Sequence, residues 1–399
     1  MRPDWQVTPL GKFIKQSKKK VKVQDGFEYP AVGVMMEGRG FVTRPPFVGG
    51  VTTYKQLTPI EPNQLVLRSI TAWEAPIQVT TQAQLGFHVS GVFPVFDIDS
   101  SILNPRFLSL LCRYEPFWES MRERTVGSVL RRKTLSATAL MEIPIQLPPL
   151  PEQKRIVDLI SSVDSYIEAL QQQLESAKRS RNAVLHELLN AGGDDWVETT
   201  LGQISKCAGG CAFPDAFQGN KEGIPFIKVS DMNSQDNEKY IEISNNSVSA
   251  EVVDDLRLRI WDKGTVVFPK VGAALLTEKR RILTTKTIFD NNIMGLVPNE
   301  KVLSEFLFLL MLQIRFSDHV QPGAVPSIKN SIVEAISVLL PSLDEQKRIV
   351  TIISELDSFI HCTETSMNRT KALRSGLLSQ LLSGDHEIPA SYDKVIGTA

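Results

Sequence analysis

Two stretches decide the organisation of this chain: PPLPEQKRIVDLI at residues 148–160 and PSLDEQKRIVTII at residues 341–353. The block EQKRIV occurs unchanged in both, at an offset of 193 residues. Asp164-Ser165 recurs as Asp357-Ser358 at the same offset. Six identical residues in a row at matched positions indicate an internal duplication. The 399-residue chain is therefore predicted to consist of two tandem units.

Each repeated block opens a long helical pattern. Apolar residues follow it at steps of four and three, which is the seam of a coiled coil, and one arginine stands in the same slot of each copy. The first seam contains Ile156, Ile160, Val163, Ile167, Leu170, Leu174, Ala177, Arg181, Val184 and Leu188. The second contains Ile349, Ile353, Leu356, Ile360, Thr363, Met367, Thr370, Arg374, Leu377 and Leu381.

A helix with one apolar seam needs a partner, and the duplicate helix supplies a matching seam. We predict that the two helices form an intramolecular coiled coil, each roughly 60 Å long at 1.5 Å per residue. The alternative is that each helix packs only against its own globular half. We expect an antiparallel pair, although the sequence signal alone permits a parallel one.

The segments between the helices do not align with one another, but both alternate extended runs with a late helix. The predicted fold class is α+β: two β-rich α/β domains joined by two long helices in a pseudo-twofold tandem repeat. The predicted boundaries are 1–149 and 193–342 for the domains, 150–192 and 343–384 for the helices, and 385–399 for a flexible tail.

Composition excludes several classes of protein. The longest clean apolar run is seven residues, 306–312, whereas a membrane span needs ~20. The N-terminus shows no secretory signal, and four cysteines give no disulfide framework, so we expect a cytoplasmic protein. Residues 1–149 carry 18 Lys and Arg against 12 Asp and Glu, whereas residues 193–342 carry 15 against 19. The net charge of −1 is no argument for nucleic-acid binding by itself.

The sequence holds no complete catalytic motif. An adenine methyltransferase needs Asn or Asp before Pro-Pro-aromatic, and Arg44 stands there in the nearest stretch; no GxxxxGK[ST] phosphate loop occurs. Glu152 and Lys154 have the ExK spacing of metal-dependent nucleases, but they open a helix, where glutamate favours the positive end of the dipole. Cys207 and Cys211 lack the second ligand pair that structural zinc needs. We predict a non-catalytic chain without a metal site.

The whole chain resembles the specificity subunit (HsdS) of type I restriction-modification systems. The lead into the first helix, IPIQLPPLPEQKRIV at 143–157, resembles that family's junction between a target recognition domain and its helix. GIPFIKVSDM (223–232), KGTVVFPKVGAA (263–274) and QPGAVPSI (321–328) resemble segments of one recognition domain; YPAVGVMMEGRGFVTR (29–44), NQLVLRSITAWEA (63–75) and SGVFPVF (90–96) resemble another subtype. The first half has TVGSVLRRKTLS (125–136) where QPGAVPSI would be expected.

The resemblance implies a function. Each recognition domain would read one half of an asymmetric bipartite target in double-stranded DNA, and the helices would set the gap. The helices would also dock two methyltransferase (HsdM-type) subunits, which admit two restriction (HsdR-type) subunits. S-adenosylmethionine, ATP and Mg would be bound by those partners and no cofactor by this chain. The expected location is the prokaryotic cytoplasm, on the nucleoid, with no membrane contact.

Basic clusters are the candidate DNA contacts, because Lys and Arg neutralise phosphates and Arg can grip a guanine edge. The alternative for any single cluster is a solvated surface. The candidates are Lys18, Lys19, Lys20, Arg131, Arg132, Lys133, Lys270, Lys279, Arg280, Arg281 and Lys329.

The repeated helix starts are the candidate partner-docking residues: Glu152, Gln153, Lys154, Arg155, Glu345, Gln346, Lys347 and Arg348. Two other functions stay open at this point. One is a self-contained DNA-modifying enzyme, which turnover by the purified chain would reveal. The other is a coiled-coil scaffold that does not contact DNA, which a binding assay with the partner subunits would separate.

Overall fold

A computed structural model describes residues 5–193, 195–213, 216, 218–320 and 325–396, with the side chains of 395 and 396 left aside. The chain divides into two compact units, one made of residues 1–171 with 365–399 and the other of residues 172–364. Each unit contains one globular domain and about half of each long helix.

The first globular domain (residues 1–149) is built from short strands and three helices among its described residues. The strands are β1 (Gln6–Pro9), β2 (Ile14–Gln16), β3 (Val21–Lys22), β4 (Glu28–Val34), β5 (Phe41–Val48), β6 (Gln56–Pro59), β7 (Gln64–Leu67), β8 (Ile77–Val79), β9 (His88–Val89), β10 (Val95–Ile98) and β11 (Pro144–Leu147). The helices are α1 (Pro105–Leu111), α2 (Glu115–Glu123) and α3 (Ala137–Met141), followed by the first long helix α4 (Leu150–Asn190).

The second globular domain (residues 193–342) follows α4. Its strands are β12 (Val197–Thr200), β13 (Ser205–Gly209), β14 (Ile224–Ile227), β15 (Tyr240–Ile241), β16 (Asn246–Val248), β17 (Val266–Pro269), β18 (Arg281–Leu283), β19 (Ile288–Phe289), β20 (Ile293–Pro298) and β21 (Ser337–Leu340). Its helices are α5 (Leu201–Ile204), α6 (Ala250–Asp255), α7 (Gly272–Leu275), α8 (Ser304–Gln313) and α9 (Asn330–Glu334), and the chain continues with α10 (Leu343–Ser383) and α11 (Asp393–Ile396).

The long helices pair antiparallel within each unit. In the first unit, the start of α4 shares a core cluster with the end of α10, through Ile156 and Ile160 on one side and Leu381 and Leu382 on the other. In the second unit, the end of α4 shares a cluster with the start of α10, where Ile349 is fully buried. The predicted seam residues on both helices are buried or half-buried, so the coiled coil is confirmed. The helix ends also join the cores of the globular domains, which was the alternative.

The two ends of each globular domain are joined by the same strand pairing. The first and last strands of each domain pair antiparallel, β1 with β11 and β12 with β21. Next to these strands, a Cβ on Gly11 would lie 2.8 Å from the Cβ of Met141, and a Cβ on Gly202 would lie 3.0 Å from that of Glu334. Because a side chain there would collide with the last helix of its domain, the weak Leu-Gly match between the two halves has a packing cause.

The middles of the domains, which do not align in sequence, share a sheet. The order β2-β10-β7-β8 in the first domain matches β13-β20-β17-β18 in the second, and these pairings are all antiparallel. In the second domain the sheet has a fifth strand, β15, which pairs parallel with β18. The second sheet differs: five strands, β3-β6-β9-β4-β5, in the first domain, and three, β16-β14-β19, in the second. The duplication therefore extends through the core, and the domains diverge in the layer added to it.

The C-terminal segment corrects the prediction of a flexible tail. The Ile388 side chain is only 4% exposed and belongs to the core cluster of the first unit. The Arg155 guanidinium donates to the Ile388 carbonyl at 2.9 Å and lies 3.4 Å from the Asp393 carboxylate. The segment is therefore held to the start of α4 at Ile388 and Asp393.

Candidate nucleic-acid interface

Two loops from different parts of the first globular domain are joined by a pair of backbone hydrogen bonds. The Leu135 amide donates to the Ser69 carbonyl at 3.0 Å, and the Ala72 amide donates to the Lys133 carbonyl at 3.0 Å. The loop at 68–76, which follows β7, is thereby fastened to the segment 125–136. We call this arrangement the loop clamp.

The second globular domain has the same clamp. The Ile328 amide donates to the Lys270 carbonyl at 3.1 Å, and the Gly272 amide donates to the Pro326 carbonyl at 2.7 Å. Residues 133 and 135 correspond to 326 and 328 at the repeat offset of 193. TVGSVLRRKTLS in the first domain therefore occupies the place of QPGAVPSI in the second, of which residues 321–324 lie outside the described part of the chain.

The clamped loop of the first domain presents charged and apolar groups to solvent. Val126 and Thr134 exchange two backbone hydrogen bonds of 2.8 Å, which close residues 126–134 into a small ribbon. At its tip, Val129 and Leu130 are each 54% exposed. The side chains of Arg131 and Arg132 follow, also exposed, and Lys133 is half-buried. Cations beside exposed apolar side chains suit a surface that meets phosphates and base edges together.

Backbone strain gathers beside this loop. Glu37, Thr71 and Ala75 have φ values of 53°, 53° and 47°, in the left-handed region that non-glycine residues avoid. The Glu37 amide donates to the Ala75 carbonyl at 2.9 Å, which brings the strained residues together. Arg122 locks them in place, donating to the Trp73 carbonyl at 3.0 Å and to the Glu37 carboxylate at 3.1 Å. Such strain persists only where the surroundings hold it, and it concentrates at functional sites.

No sequence signal pointed to Glu37, Thr71 or Ala75 themselves, because none of the three is glycine or asparagine. In the same 35–40 loop, Gly38 and Gly40 also have positive φ values, of 63° and 109°. Ile70 and Met36, beside the strained positions, are 44% and 42% exposed. The loops at 35–40, 68–76 and 126–134 thus form one connected surface on the first domain.

In the second domain, the cluster at 279–281 is placed differently from the prediction. Arg280 is buried, 2% exposed: it donates to the Glu278 carboxylate and to the Ile314 carbonyl, each at 2.7 Å, and its guanidinium lies 4.1 Å from the Phe316 ring centroid. Burial lowers the pKa of Arg280, and Glu278 opposes the change. A phosphate cannot reach this group, so the prediction for Arg280 is wrong, and the residue holds α8 to the sheet.

The neighbours of Arg280 are only partly available. Arg281 is half-buried and donates to the Met232 carbonyl at 2.9 Å, while the ammonium group of Lys279 contacts the Asn233 side chain. Lys270 is half-buried at the clamp, and its ammonium group packs closely over Gly209: a Cβ added to Gly209 would lie 2.6 Å from the Lys270 Nζ. Lys329 is exposed directly after the clamp.

The N-terminal lysine cluster is exposed but not uniformly free. The Lys19 ammonium lies 2.6 Å from the Glu61 carboxylate, which raises the pKa of Lys19. Lys20 donates to the Thr58 hydroxyl at 2.7 Å. Lys18 is exposed at the same edge of the domain. Phosphate binding by Lys19 would require exchange with Glu61.

Each repeated helix start contains a buried glutamine, Gln153 or Gln346. The prediction that these two glutamines dock a partner is therefore wrong. The Gln153 amide nitrogen donates to the Ile102 and Pro148 carbonyls at 2.8 and 2.9 Å, and its oxygen accepts from the Asn104 amide at 2.7 Å. Gln346 does the same in the second unit, with the Lys301 and Pro341 carbonyls and the Leu303 amide at 2.9, 3.0 and 2.9 Å. Both glutamines are 0% exposed, so they fasten each helix to the loop before α1 or α8 and cannot touch a partner.

The other residues of the repeated block divide by exposure. Glu152 is 5% exposed and accepts from the Trp5 indole at 3.1 Å, so its docking role is also wrong. Arg155 is engaged by the C-terminal segment, as described above. Lys154 and Lys347 face solvent, and Arg348 is exposed but paired with Glu345 at 2.6 Å.

The Cys207 thiol is buried beside β20. Burial raises the pKa of Cys207 to about 12, which leaves a protonated and unreactive thiol. Within the described ranges, no three His, Cys, Asp or Glu side chains gather as metal ligands. In the part of the chain that the structure describes, no helix is both long and apolar enough to cross a bilayer.

The sequence profile of the Type I restriction modification DNA specificity domain matches residues 4–179 and 193–371. The two matches follow the two tandem units. The chain is 23% identical over 279 residues to the EcoR124I/EcoR124II specificity subunit of a type I restriction enzyme of Escherichia coli, which is 66% of this chain and 68% of that protein.

Solved structures share the fold. A chain from a type I R-M system, studied for complex assembly and conformational transition, has a TM-score of 0.66 and 15% identity, covering 96% of this chain and 99% of its own. The HsdS subunit from Thermoanaerobacter tengcongensis has a TM-score of 0.56 and 16% identity over 97% of this chain and 98% of its own. Both likenesses extend over almost the full length of the described fold.

Proposed function

Because the chain belongs to the type I restriction modification DNA specificity family, we propose that its two globular domains each read one half of an asymmetric, bipartite sequence in double-stranded DNA. The chain is the non-catalytic specificity subunit of a type I restriction-modification complex. One observation carries the proposal: the same core sheet and the same loop clamp occur twice, with different loops and a different second sheet attached. A repeated frame with unlike surfaces suits two unlike half-sites.

In the first domain, we assign reading to the connected loops at 35–40, 68–76 and 126–134. Arg131, Arg132 and Lys133 would fix the loop on phosphates, which position a protein, and the exposed tip residues would meet base edges, which carry the sequence. In the second domain, Lys270 and Lys329 flank the clamp and are the corresponding cations, and Lys279 and Arg281 would add phosphate contacts. Lys18, Lys19 and Lys20 would add phosphate contacts.

The long helices would set the gap between the half-sites and dock the partners. Among the predicted docking residues, Lys154, Lys347 and Arg348 remain suitable. We add Tyr166 and Phe359, which are 55% and 45% exposed and occupy equivalent positions of the repeat. Exposed aromatic side chains are frequent anchors of protein interfaces. Since the same aromatic position occurs on both helices, it suits two copies of one methyltransferase subunit.

Two restriction subunits would join through the methyltransferase subunits. S-adenosylmethionine, ATP and Mg would act on those partners, with no cofactor on this chain. The assembled complex would work on DNA in the prokaryotic cytoplasm.

The test is a domain exchange. Residues 194–340 are replaced by the corresponding segment of a relative, the complex is assembled with its modification subunits, and methylated adenines are mapped by sequencing. We expect one half of the methylated sequence to change and the other to stay, because the first domain is untouched. A change in both halves would contradict two independent readers. Methyl transfer by the purified chain alone would instead favour the self-contained enzyme, and a complex that ignores sequence would favour the scaffold.

A further inference from the structure

Each seam of the coiled coil is interrupted by one arginine, and each arginine meets an aspartate of the other helix. Arg181 donates through Nε and Nη2 to the Asp357 carboxylate at 2.8 and 3.4 Å. Arg374 contacts the Asp164 carboxylate through Nε and donates through Nη2 at 2.9 Å. The two arginine side chains are only 13% and 16% exposed. The Asp357 and Asp164 side chains are 31% and 44% exposed, and the Lys239 ammonium also lies 3.9 Å from the Asp357 carboxylate. Each pair is thus a two-point contact whose cationic end is buried in the seam and whose acidic end reaches solvent.

The two pairs are copies of one another. Arg374 and Asp357 stand 193 residues after Arg181 and Asp164, so the repeat supplies both partners twice. Asp164 precedes Arg181 by 17 residues on α4, and Asp357 precedes Arg374 by 17 residues on α10. Both pairs therefore form at one and the same antiparallel register, one in each unit.

We propose that these two Arg–Asp pairs fix the register of the coiled coil and thereby the number of base pairs between the two half-sites. The inference rests on the proposed role of the helices as the spacer between the readers. Four residues of the helices would thus determine the number of base pairs between the half-sites, which the reading loops cannot determine.

The apolar seam by itself specifies the register weakly. Its residues recur every seven positions, so sliding one helix by a heptad again places aliphatic groups on aliphatic groups. A buried polar pair at a seam position is the known remedy, because a slip leaves its charges without partners in an apolar setting.

A slip in either direction is penalised in both units. If α10 moves so that Arg181 faces Val350, then Arg374 faces Val157. If α10 moves the other way, Asp357 faces Leu188 and Asp164 faces Leu381. In the first shifted register both arginines face valine. In the second, both aspartates face leucine, although Arg181 then faces Glu364. Each alternative register therefore places two like charges opposite aliphatic side chains.

The same residues oppose a parallel coiled coil. In a parallel pair aligned by the repeat, Arg181 would face Arg374, and Asp164 would face Asp357. Like charges would meet at both places, whereas the antiparallel register brings opposite charges together twice.

The decisive variant carries leucine at all four positions: Arg181→Leu, Asp357→Leu, Arg374→Leu and Asp164→Leu. Apolar replacement of buried ion pairs is often neutral or stabilising, so the coiled coil is expected to persist. The variant is assembled with the modification subunits and its methylated sites are mapped. We expect the same half-sites at more than one gap length, about 3 base pairs apart, since a heptad is roughly 10 Å. One unchanged gap at parental efficiency overturns the proposal and assigns the register to helix-end packing against the globular domains.

A second set of variants protects the test against misfolding. Exchange of both pairs, with Arg181→Asp, Asp357→Arg, Arg374→Asp and Asp164→Arg, keeps opposite charges together, whereas Arg181→Asp with Arg374→Asp places acids on acids. We expect the full exchange to keep the parental gap, with a small loss in melting temperature because Lys239 lies 3.9 Å from the Asp357 carboxylate. We expect the half exchange to lose both the parental gap and the melting temperature. Equal behaviour of the two would contradict the pairing. Lengthening both helices by a heptad tests the spacer role separately from the role of the Arg–Asp pairs. If the gap stays unchanged, the helices do not act as the spacer. If the gap widens, the spacer role holds and the leucine variant tests the Arg–Asp pairs alone.

Discussion

At the residue scale, identical side chains in the two repeats take on defined structural tasks. Gln153 and Gln346 satisfy three backbone groups each and are fully buried. A glutamine can do this because its amide both donates and accepts, and buried backbone groups require partners. The repeated sequence marked these residues as important. Their burial, however, reassigns them from docking a partner to holding the helix on its domain.

The charged tip of the first domain allows a prediction at this scale. Arg131→Ala, Arg132→Ala and Lys133→Ala together are expected to weaken DNA binding by the complex on the order of 10–100-fold at moderate salt. The slope of log affinity against log salt should become shallower by about 2–3, since each lost phosphate contact removes roughly 0.9. The measurement is a salt titration of DNA affinity.

A matched control removes the same charge elsewhere, with Arg179→Ala, Arg369→Ala and Lys371→Ala on exposed faces of the long helices. An equal loss in the control would mean that net charge, and not the position of the cluster, explains the effect. Unaltered binding of the tip variant would remove the cluster from the interface.

At the scale of elements, the two domains share a structural framework and differ in the loops and the second sheet attached to it. The four-stranded order shared by the two domains and the loop clamp recur although the sequences between them do not align. Strand order depends on which apolar faces must be covered, and many sequences satisfy that requirement. The loops carried by the frame are exposed and free to differ, so specificity can change while the fold is kept.

The helices lend themselves to a length prediction. Inserting seven residues of matching heptad pattern at the middle of α4 and of α10 keeps the seam in phase and lengthens both by roughly 10 Å. We expect the gap between methylated half-sites to widen by about 3 base pairs, with both half-sites unchanged. Methylation mapping of the assembled complex measures this directly.

Insertion of four residues serves as the comparison, because it rotates the seam out of register and should abolish modification without giving a new gap. An unchanged gap after the heptad insertion would contradict the spacer role of the helices.

At the scale of the whole molecule, the duplication suits a protein that engages a repeated partner. Tyr166 and Phe359 are exposed at the same position of the two long helices, whereas most other exposed apolar residues have no counterpart there. A partner present twice must meet the same chemistry twice, and this aromatic position offers it.

Docking can be tested by counting partner copies. Tyr166→Ser alone and Phe359→Ser alone are each expected to leave one methyltransferase subunit bound, and the double variant to bind neither stably. Truncation of an interface anchor costs roughly 2 kcal/mol or more, about 30-fold in affinity. Native mass spectrometry of the assembled complex gives the number of copies.

Leu373→Ser is the matched control, because Leu373 is 66% exposed on α10 and its counterpart on α4 is Ser180. It should keep both copies. If the aromatic variants also retain full assembly, docking depends on another face of the helices.

The duplication, the two long helices, their seam and the presence of two unlike β-rich domains could be predicted from the amino-acid sequence alone. These features depend on identity at a fixed offset and on short helical and strand periods, which neighbouring residues express directly. The seam also contained a clue to direction, since Asp164 and Asp357 or Arg181 and Arg374 would repel in a parallel pair. The burial of Gln153, Gln346 and Arg280 became apparent only in the folded protein. The same holds for the placement of TVGSVLRRKTLS where the second domain has QPGAVPSI, and for the contact of the C-terminal segment with α4. Each of these outcomes depends on contacts between residues distant in the chain, and exposure and partnership follow from packing, which no local pattern records.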